Sequence, residues 1–451
     1  MKAGVAAGHP ATCEAGIEIL EDGGSAADAA VAACLASCVA ETVMTGLLGG
    51  GHALYWDAAS ARARNLDCFV AVPTGVGAPM VQLEVPFGEE LVHYAVGAAS
   101  CGVPGVAAGL AELWREHGRL PWERLVEPAL GLARDGVPMP SAHVRCLEML
   151  ESVLTLDAGA RIYAPGGKLL RDGELLQQPG LVRTLELLRD EGAASVYSGS
   201  IAEALLALCA ERGGVVTRDD LESYRATWSE PVEVAFAGTR FLTRADLSGV
   251  PNVLRRLPPR ADVLALVETL DAVADRDGDT TNLVAVDGDG NACIVTTSLG
   301  LGSGDYVPGL DLHLNSMLGE VDLVRGELRP TRRMSSMMAP SIALDGDGLA
   351  LAVGAAGGTR LRTALVGVAS AILERDAPPQ EAIDAGRAHP VGGLVHAEPG
   401  VPEDALAELE RRGRAVRRWP ARHHYFGGVS AIARSGPAAD PRRSGAARSV
   451  A

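Results

Sequence analysis

Asp279-Thr280-Thr281-Asn282-Leu283-Val284-Ala285-Val286-Asp287 is the stretch that decides how this chain is read. A hydroxyl residue follows the loop-like run Asp275-Arg276-Asp277-Gly278-Asp279 and opens an alternating apolar strand. Asp287-Gly288-Asp289-Gly290-Asn291 then turns the chain into a second apolar run over 292–298. A hairpin of this kind presents a threonine that becomes a new N-terminus if the chain cuts itself before it. A freed N-terminal Thr carries its own base, the α-amine, beside its own nucleophile, the hydroxyl. The stretch therefore predicts a self-processing hydrolase or transferase centred on Thr280.

Working outward, helical periodicity predicts helices over 12–22, 25–40, 105–117, 121–135, 141–154, 180–191, 199–212 and 261–275, with Ser25 as an N-cap. The Pro- and Arg-rich stretch 245–260 reads as irregular. Short strands are expected at 52–56, as a pair within 231–244, and at 340–344, 348–354 and 427–434. Helices follow at 359–374 and 402–412. The tail 435–451 is small and polar and is expected to be disordered. Hairpin-linked strands bracketed by helical blocks imply a layered α+β domain with mostly antiparallel sheets.

The composition narrows the function. The 451 residues are 47% hydrophobic and 22% charged, enough for a large core. A net charge of -17, with no Lys/Arg-rich block before the tail, argues against nucleic acid or an anionic membrane as partner. Aromatic residues at 4% supply no base-stacking platform. Eight cysteines, none in a CxxC pair, read as small buried apolar residues, and free thiols suit a reducing compartment. The N-terminus shows no signal-peptide pattern, and no 18-residue uncharged apolar run is present. A soluble, cytoplasmic protein is expected.

Several motifs have bland readings. Gly46-Leu47-Leu48-Gly49-Gly50-Gly51 lacks the Lys-Ser/Thr of a phosphate loop and reads as close backbone approach. Asp275, Asp277 and Asp279 mimic calcium-loop spacing, but Thr280 stands where Gly is needed and Val286 where Glu is needed. His423-His424 has no accompanying ligand cluster, so no metal and no cofactor are expected. Gly357-Gly358 follows a strand and opens a helix, where backbone N–H groups can bind an oxyanion.

Taken in order along the chain, these pieces resemble the γ-glutamyltranspeptidases, N-terminal-nucleophile hydrolases with a four-layer αββα sandwich. Gly23-Gly24-Ser25-Ala26-Ala27-Asp28-Ala29-Ala30 is similar to the family's GGNAxDAA, and residues 46–51 to its glycine-rich loop. Gly102-Val103-Pro104-Gly105 and the stretch Pro128 to Gly136 match further family turns and helices. Thr280-Thr281-Asn282 stands where the family has Thr-Thr-His, and Asp287 to Ala292 resembles its D-x-D-G-N-A turn. Ser335-Ser336-Met337, Gly357-Gly358-Thr359-Arg360 and Asp440-Pro441-Arg442 resemble its SSM, GGSR and DPR.

The resemblance implies that Thr280 cuts the chain after Asp279 and then serves as catalytic nucleophile. A 1–279 and a 280–451 segment would form one composite domain. It implies that Ser298 steadies the nucleophile, that Gly357 and Gly358 donate to the oxyanion, and that Ser335, Ser336, Asn315, Glu320 and Arg333 bind substrate. The expected partners are a small-molecule substrate and the two fragments of the chain itself, with a homo-oligomer as a further option. The departures concern the acyl pocket. The family's carboxylate-gripping D-x-R-E-x-A-P is here Asp67-Cys68-Phe69-Val70-Ala71-Val72-Pro73, without Arg or Glu after Asp67. A glutamate-binding Asn of the family aligns with Gly300. The expectation is a Thr-nucleophile enzyme cleaving an amide or an activated carbon–carbon bond of a non-standard substrate, by analogy with relatives in antibiotic biosynthesis. One alternative is a conventional γ-glutamyl hydrolase or transferase using Arg332, Arg333 or Arg360 instead. Another is an unprocessed binding protein.

Overall fold

The hairpin that opens the reading is the centre of the first of two packed sheets. The computed structural model describes residues 1–87, 90–273, 281–324 and 326–450. Strands Thr281–Val286 and Ala292–Ser298 pair antiparallel, with Thr281 opposite Thr297 and Val286 opposite Ala292. Around them run, in order, Ala446–Ser449, Gly4–Ala7, the hairpin, Gly50–Asp57, Arg62–Cys68 and Thr227–Ser229. The second sheet runs Gly436–Ala439, Gly428–Ala433, Gly348–Ala356, Ser341–Asp345, Thr239–Thr243 and Val232–Phe236. Every pairing in both sheets is antiparallel.

The period-2 alternation of the strands divides two cores. Leu283, Ala285, Cys293 and Val295 face a helical layer that includes Pro10–Glu21, Ala26–Ala40 and Trp122–Asp135. Val284, Val286, Ala292 and Ile294 face the other way, where they meet Leu54, Ile342, Ala352 and Ile432 of both sheets. The outer face of the second sheet packs Leu351 and Val353 against Val250–Arg256 and Thr359–Arg375. Helix, sheet, sheet and helix make the αββα sandwich. Strands buried on both faces explain why the sequence there is apolar without interruption.

The helix Ala26–Ala40 is buried along its whole length, which its run of alanines permits. Ser25 caps it in a reciprocal capping box with Asp28. Asp287 joins this helix to the hairpin. Its carboxylate accepts from the N–H groups of Asp289 and Asn291 within the turn, and from Ala26 N–H at 3.0 Å. The glycines at 49–51 do mark close approach: a Cβ on Gly49 would lie 2.2 Å from the Ser298 carbonyl oxygen. All eight cysteines are buried and free.

Three expectations need correction. The tail is ordered: Gly436–Ala439 and Ala446–Ser449 are edge strands of the two sheets, and Arg442 and Arg443 are buried. Small polar residues suffice there because the backbone finds ladder partners in Gly4–Ala7 and Gly428–Ala433. The stretch 245–260 holds the helix Val250–Arg256, where Pro251 sits in the first turn and so starts a helix rather than breaking one. The expected helix 141–154 is two, Ser141–Met149 and Glu151–Leu154. No single helix among the described residues is long and apolar enough to cross a membrane.

Candidate active site

The site lies where the strand ends Thr281 and Ser298 meet the start of helix Thr359–Arg375. The expected cleavage residues Asp279 and Thr280 lie outside the described residues, as do Asp275 and Asp277. Thr281, next in the chain, is described and buried. Its hydroxyl donates to Oε2 of Glu41 at 2.5 Å, and Thr12 donates to Oε1 of the same carboxylate at 2.7 Å. Burial pushes the Glu41 carboxyl above its ordinary range, against the opposing effect of these two hydrogen bonds and the nearby Arg443 charge. Asn282 points to the second sheet, donating to the Gly428 carbonyl and accepting from Ser430 N–H.

Ser298 is buried and its Oγ accepts from Gly300 N–H at 2.8 Å. Gly357 and Gly358 both have positive φ, +114° and +59°. A Cβ on Gly357 would lie 2.6 Å from the Gly427 Cα, so only glycine fits this turn. Ser298, Gly358, Glu320 and Ser336 line one narrow cavity of about 20 Å³, together with Phe69, Met317, Leu323, Met337, Met338 and Leu361. Glu320 is the one charged side chain of that lining among the described residues. It is buried, and Ser316 Oγ lies 3.4 Å from its Oε1. At Gly300 a Cβ would collide with Glu320 Oε1, which explains the glycine.

Other expected binding residues go elsewhere. Asn315 is a brace: its amide donates to the Leu48 and Gly102 carbonyls, and its Oδ1 accepts from Gly102 N–H. Ser335 is absent from the cavity lining. Arg333 pairs with Asp67 at 3.3 Å, donates to the Arg225 carbonyl and lies over the Tyr224 ring. It lines a different cavity, of about 620 Å³. Arg360 is buried, with Nε donating to the Tyr425 carbonyl at 3.1 Å, and it too is absent from the lining. His423 caps Tyr425 N–H in a short 3-10 turn beside Trp419, a structural role. A cavity of about 470 Å³ beside the helix Val263–Asp271 contains none of the expected site residues. Cavity size and site chemistry therefore do not coincide, and the chemistry decides the assignment. Among the described residues no group of His, Cys, Asp and Glu could hold a metal ion.

The sequence reading missed Glu41, Thr12 and Arg443. The one available signal was a lone acid at the end of a helix made otherwise of Ala, Val, Leu, Ser and Cys past its first turn.

A family model described as Gamma-glutamyltranspeptidase matches residues 12–257 and 260–450. An acylase ACY 1 proenzyme of Pseudomonas sp. strain SE83 is 28% identical, with 95% of this chain and 89% of that one covered. A glutathione hydrolase proenzyme of Bacillus subtilis strain 168 is 25% identical, with 91% and 84% covered. Among solved structures, a cephalosporin acylase from Bacillus halodurans superposes with a TM-score of 0.84 at 24% identity, covering 99% of this chain and 96% of that one. At that identity the likeness shows the fold alone.

Proposed function

Because this chain belongs to the γ-glutamyltranspeptidase family of hydrolases and transferases, we propose that it is a self-processing Thr-nucleophile enzyme whose acyl substrate is not a γ-glutamyl group. Thr280 attacks the Asp279 carbonyl carbon through its hydroxyl. The peptide C–N bond breaks, an ester forms, and the freed amine takes the hydroxyl proton. Water then hydrolyses the ester, leaving the Asp279 carboxylate and an N-terminal Thr280. Two segments result, 1–279 and 280–451. The new α-amine serves as base for the same hydroxyl in turnover, with Ser298 steadying it and the Gly357–Gly358 turn offering N–H groups to the oxyanion. The names of relatives as proenzymes support this reading.

The observation that carries the substrate assignment is the wall of the cavity. Ser298 and Gly358 share it with Phe69, Met317, Leu323, Met337 and Met338, and Glu320 is its charged member. A carboxylate entering such a site would meet apolar sulfur and carbon and a like charge instead of a guanidinium. A bidentate Arg–carboxylate contact of the kind lost here contributes on the order of 3 kcal/mol. The replacement contacts Arg333 and Arg360 are held by other groups. An apolar, adaptable methionine wall suits a compact acyl group attached through an amide, or through an activated carbon–carbon bond. The acylase name of one relative points the same way.

Intact mass of the purified protein tests the nucleophile. Fragments of about 29 and about 18 kDa, in proportion to length, are expected from the natural chain and an uncut chain from Thr280→Ala. A Thr280→Ala protein that is still cut and active would overturn the mechanism. Turnover of a γ-glutamyl anilide at rates equal to those with apolar acyl amides would overturn the substrate assignment.

A further inference from the structure

We propose that Glu41 is a positioning residue for self-processing: its buried carboxylate fixes Thr281, and through it the register of the strand that begins at the cleavage junction. The inference rests on the reading of Thr280 as the processing nucleophile. Glu41 terminates the buried helix Ala26–Ala40, and its backbone is tied on both sides. Its N–H donates to the Ser37 carbonyl, and its own carbonyl accepts from Met44 and Thr45 N–H. The carboxylate therefore has little freedom. Its two oxygens are divided between Thr281 at 2.5 Å and Thr12 at 2.7 Å.

The pocket around this contact is closed by the backbone. A Cβ on Gly8 would lie 2.7 Å from Glu41 Oε2 and 3.0 Å from Thr281 Oγ1, so nothing larger than glycine leaves the hydrogen bond in place. Arg443 links the contact to the other half of the site. Its guanidinium touches Met44 Sδ at 2.9 Å, and its Nη2 would lie 3.3 Å from a Cβ on Gly357. One acid and one base thus abut both the strand start at Thr281 and the oxyanion turn.

A carboxyl group at this position is a costly way to satisfy a hydroxyl, because burial strips water from both of its oxygens. Thr281 and Thr12 each donate to one of its oxygens, which sets the Thr281 hydroxyl rotor and holds the second residue after the scissile bond in one orientation. A misplacement of about 1 Å at a reacting centre costs on the order of a hundredfold in rate. This gives the expense a purpose that Thr12 alone would not require.

The test follows cutting of freshly synthesised full-length chain over time by gel and mass, for the natural sequence, Glu41→Gln, Glu41→Asp, Thr281→Val and the Glu41→Gln/Thr281→Val double variant. Glu41→Gln and Thr281→Val should each slow cutting about ten- to a hundredfold. Glu41→Asp should recover part of the rate. The double variant should be no slower than the slower single one, since Glu41 acts through Thr281. A natural-rate Glu41→Gln, or additive effects in the double variant, overturns the proposal. If Glu41→Gln does not fold, Thr281→Val decides alone, because it removes only the hydroxyl and a natural rate there overturns the proposal equally. An uncut natural chain defeats the proposal by defeating the nucleophile reading beneath it. A cut natural chain with indifferent variants defeats the Glu41 inference only.

Discussion

Gly357→Ala tests the geometry of the turn proposed to hold the oxyanion. Gly357 sits at φ +114°, where an alanine is strained by about 1–3 kcal/mol. The added Cβ would also lie 2.6 Å from the Gly427 Cα, a backbone atom that cannot rotate away. Relieving that contact requires the Gly427 turn to shift, an overpacking cost of a further ~1–3 kcal/mol. The expected loss of stability is therefore about 2–6 kcal/mol. Gly238→Ala is the control. It has φ +74° and open space around the new Cβ, so it should show the backbone strain without the clash. Urea unfolding of the two variants gives the difference. The same shift moves the N–H groups of residues 357 and 358, and losing one oxyanion donor typically costs about 100- to 1,000-fold in rate. Turnover of an apolar acyl amide by the processed protein measures this. A Gly357→Ala protein no less stable than Gly238→Ala, and as active as the natural protein, would refute the reasoning.

Two further outcomes test the frame around the site. Arg442 is buried and donates to both oxygens of Glu398, to Asp440 and to the carbonyls of Ile383 and Ala385. Arg442→Ala leaves two buried carboxylates short of a cation and should cost about 3–5 kcal/mol in urea unfolding; a loss below about 1 kcal/mol would show the tail to be expendable. His52, His143, His313, His389 and His424 are buried, and desolvation holds each below the usual imidazole range, His313 at about 3. The unfolded chain takes up these protons near pH 6.5 and the folded chain does not, so stability falls as pH drops below about 6.5 and continues to fall toward the folded values. Five such groups give a limiting slope of about 7 kcal/mol per pH unit. Thermal unfolding followed by circular dichroism should show the midpoint falling as pH drops from 7 to 5, and a midpoint unchanged over that range would contradict the burial of these rings.

The central hairpin was legible because local signals agreed there. A Gly-Asp-Gly turn between two apolar runs pointed to strands 281–286 and 292–298, which are the strands observed. The helix 25–40 was legible for the same reason, through its cap and its unbroken apolar run. The strand Arg62–Cys68 was not, since its Arg and Asp residues hide the pattern and its partners lie at 51–57 and 227–229. The tail was misjudged because edge strands draw their stability from backbone ladders with distant segments, and composition does not record these.

By itself the sequence determined a layered α+β domain, through the periods of its apolar residues, and the αββα order of the layers followed only from the family that its motifs resemble. The order of its motifs, through the family they resemble, also pointed to Thr280 as candidate nucleophile, to Gly357 and Gly358 as candidate oxyanion donors and to the absence of Arg after Asp67. Only the tertiary structure decided which of these act together. It set Ser298, Gly358, Glu320 and Ser336 around one methionine-walled cavity and sent Asn315 and Arg333 elsewhere. It also brought Glu41 to Thr281 across 240 residues of chain. The physical reason is that a hydrogen bond or a cavity wall depends on proximity in space. Chain separation enters only through the entropy of closing the loop, which leaves no mark on either residue.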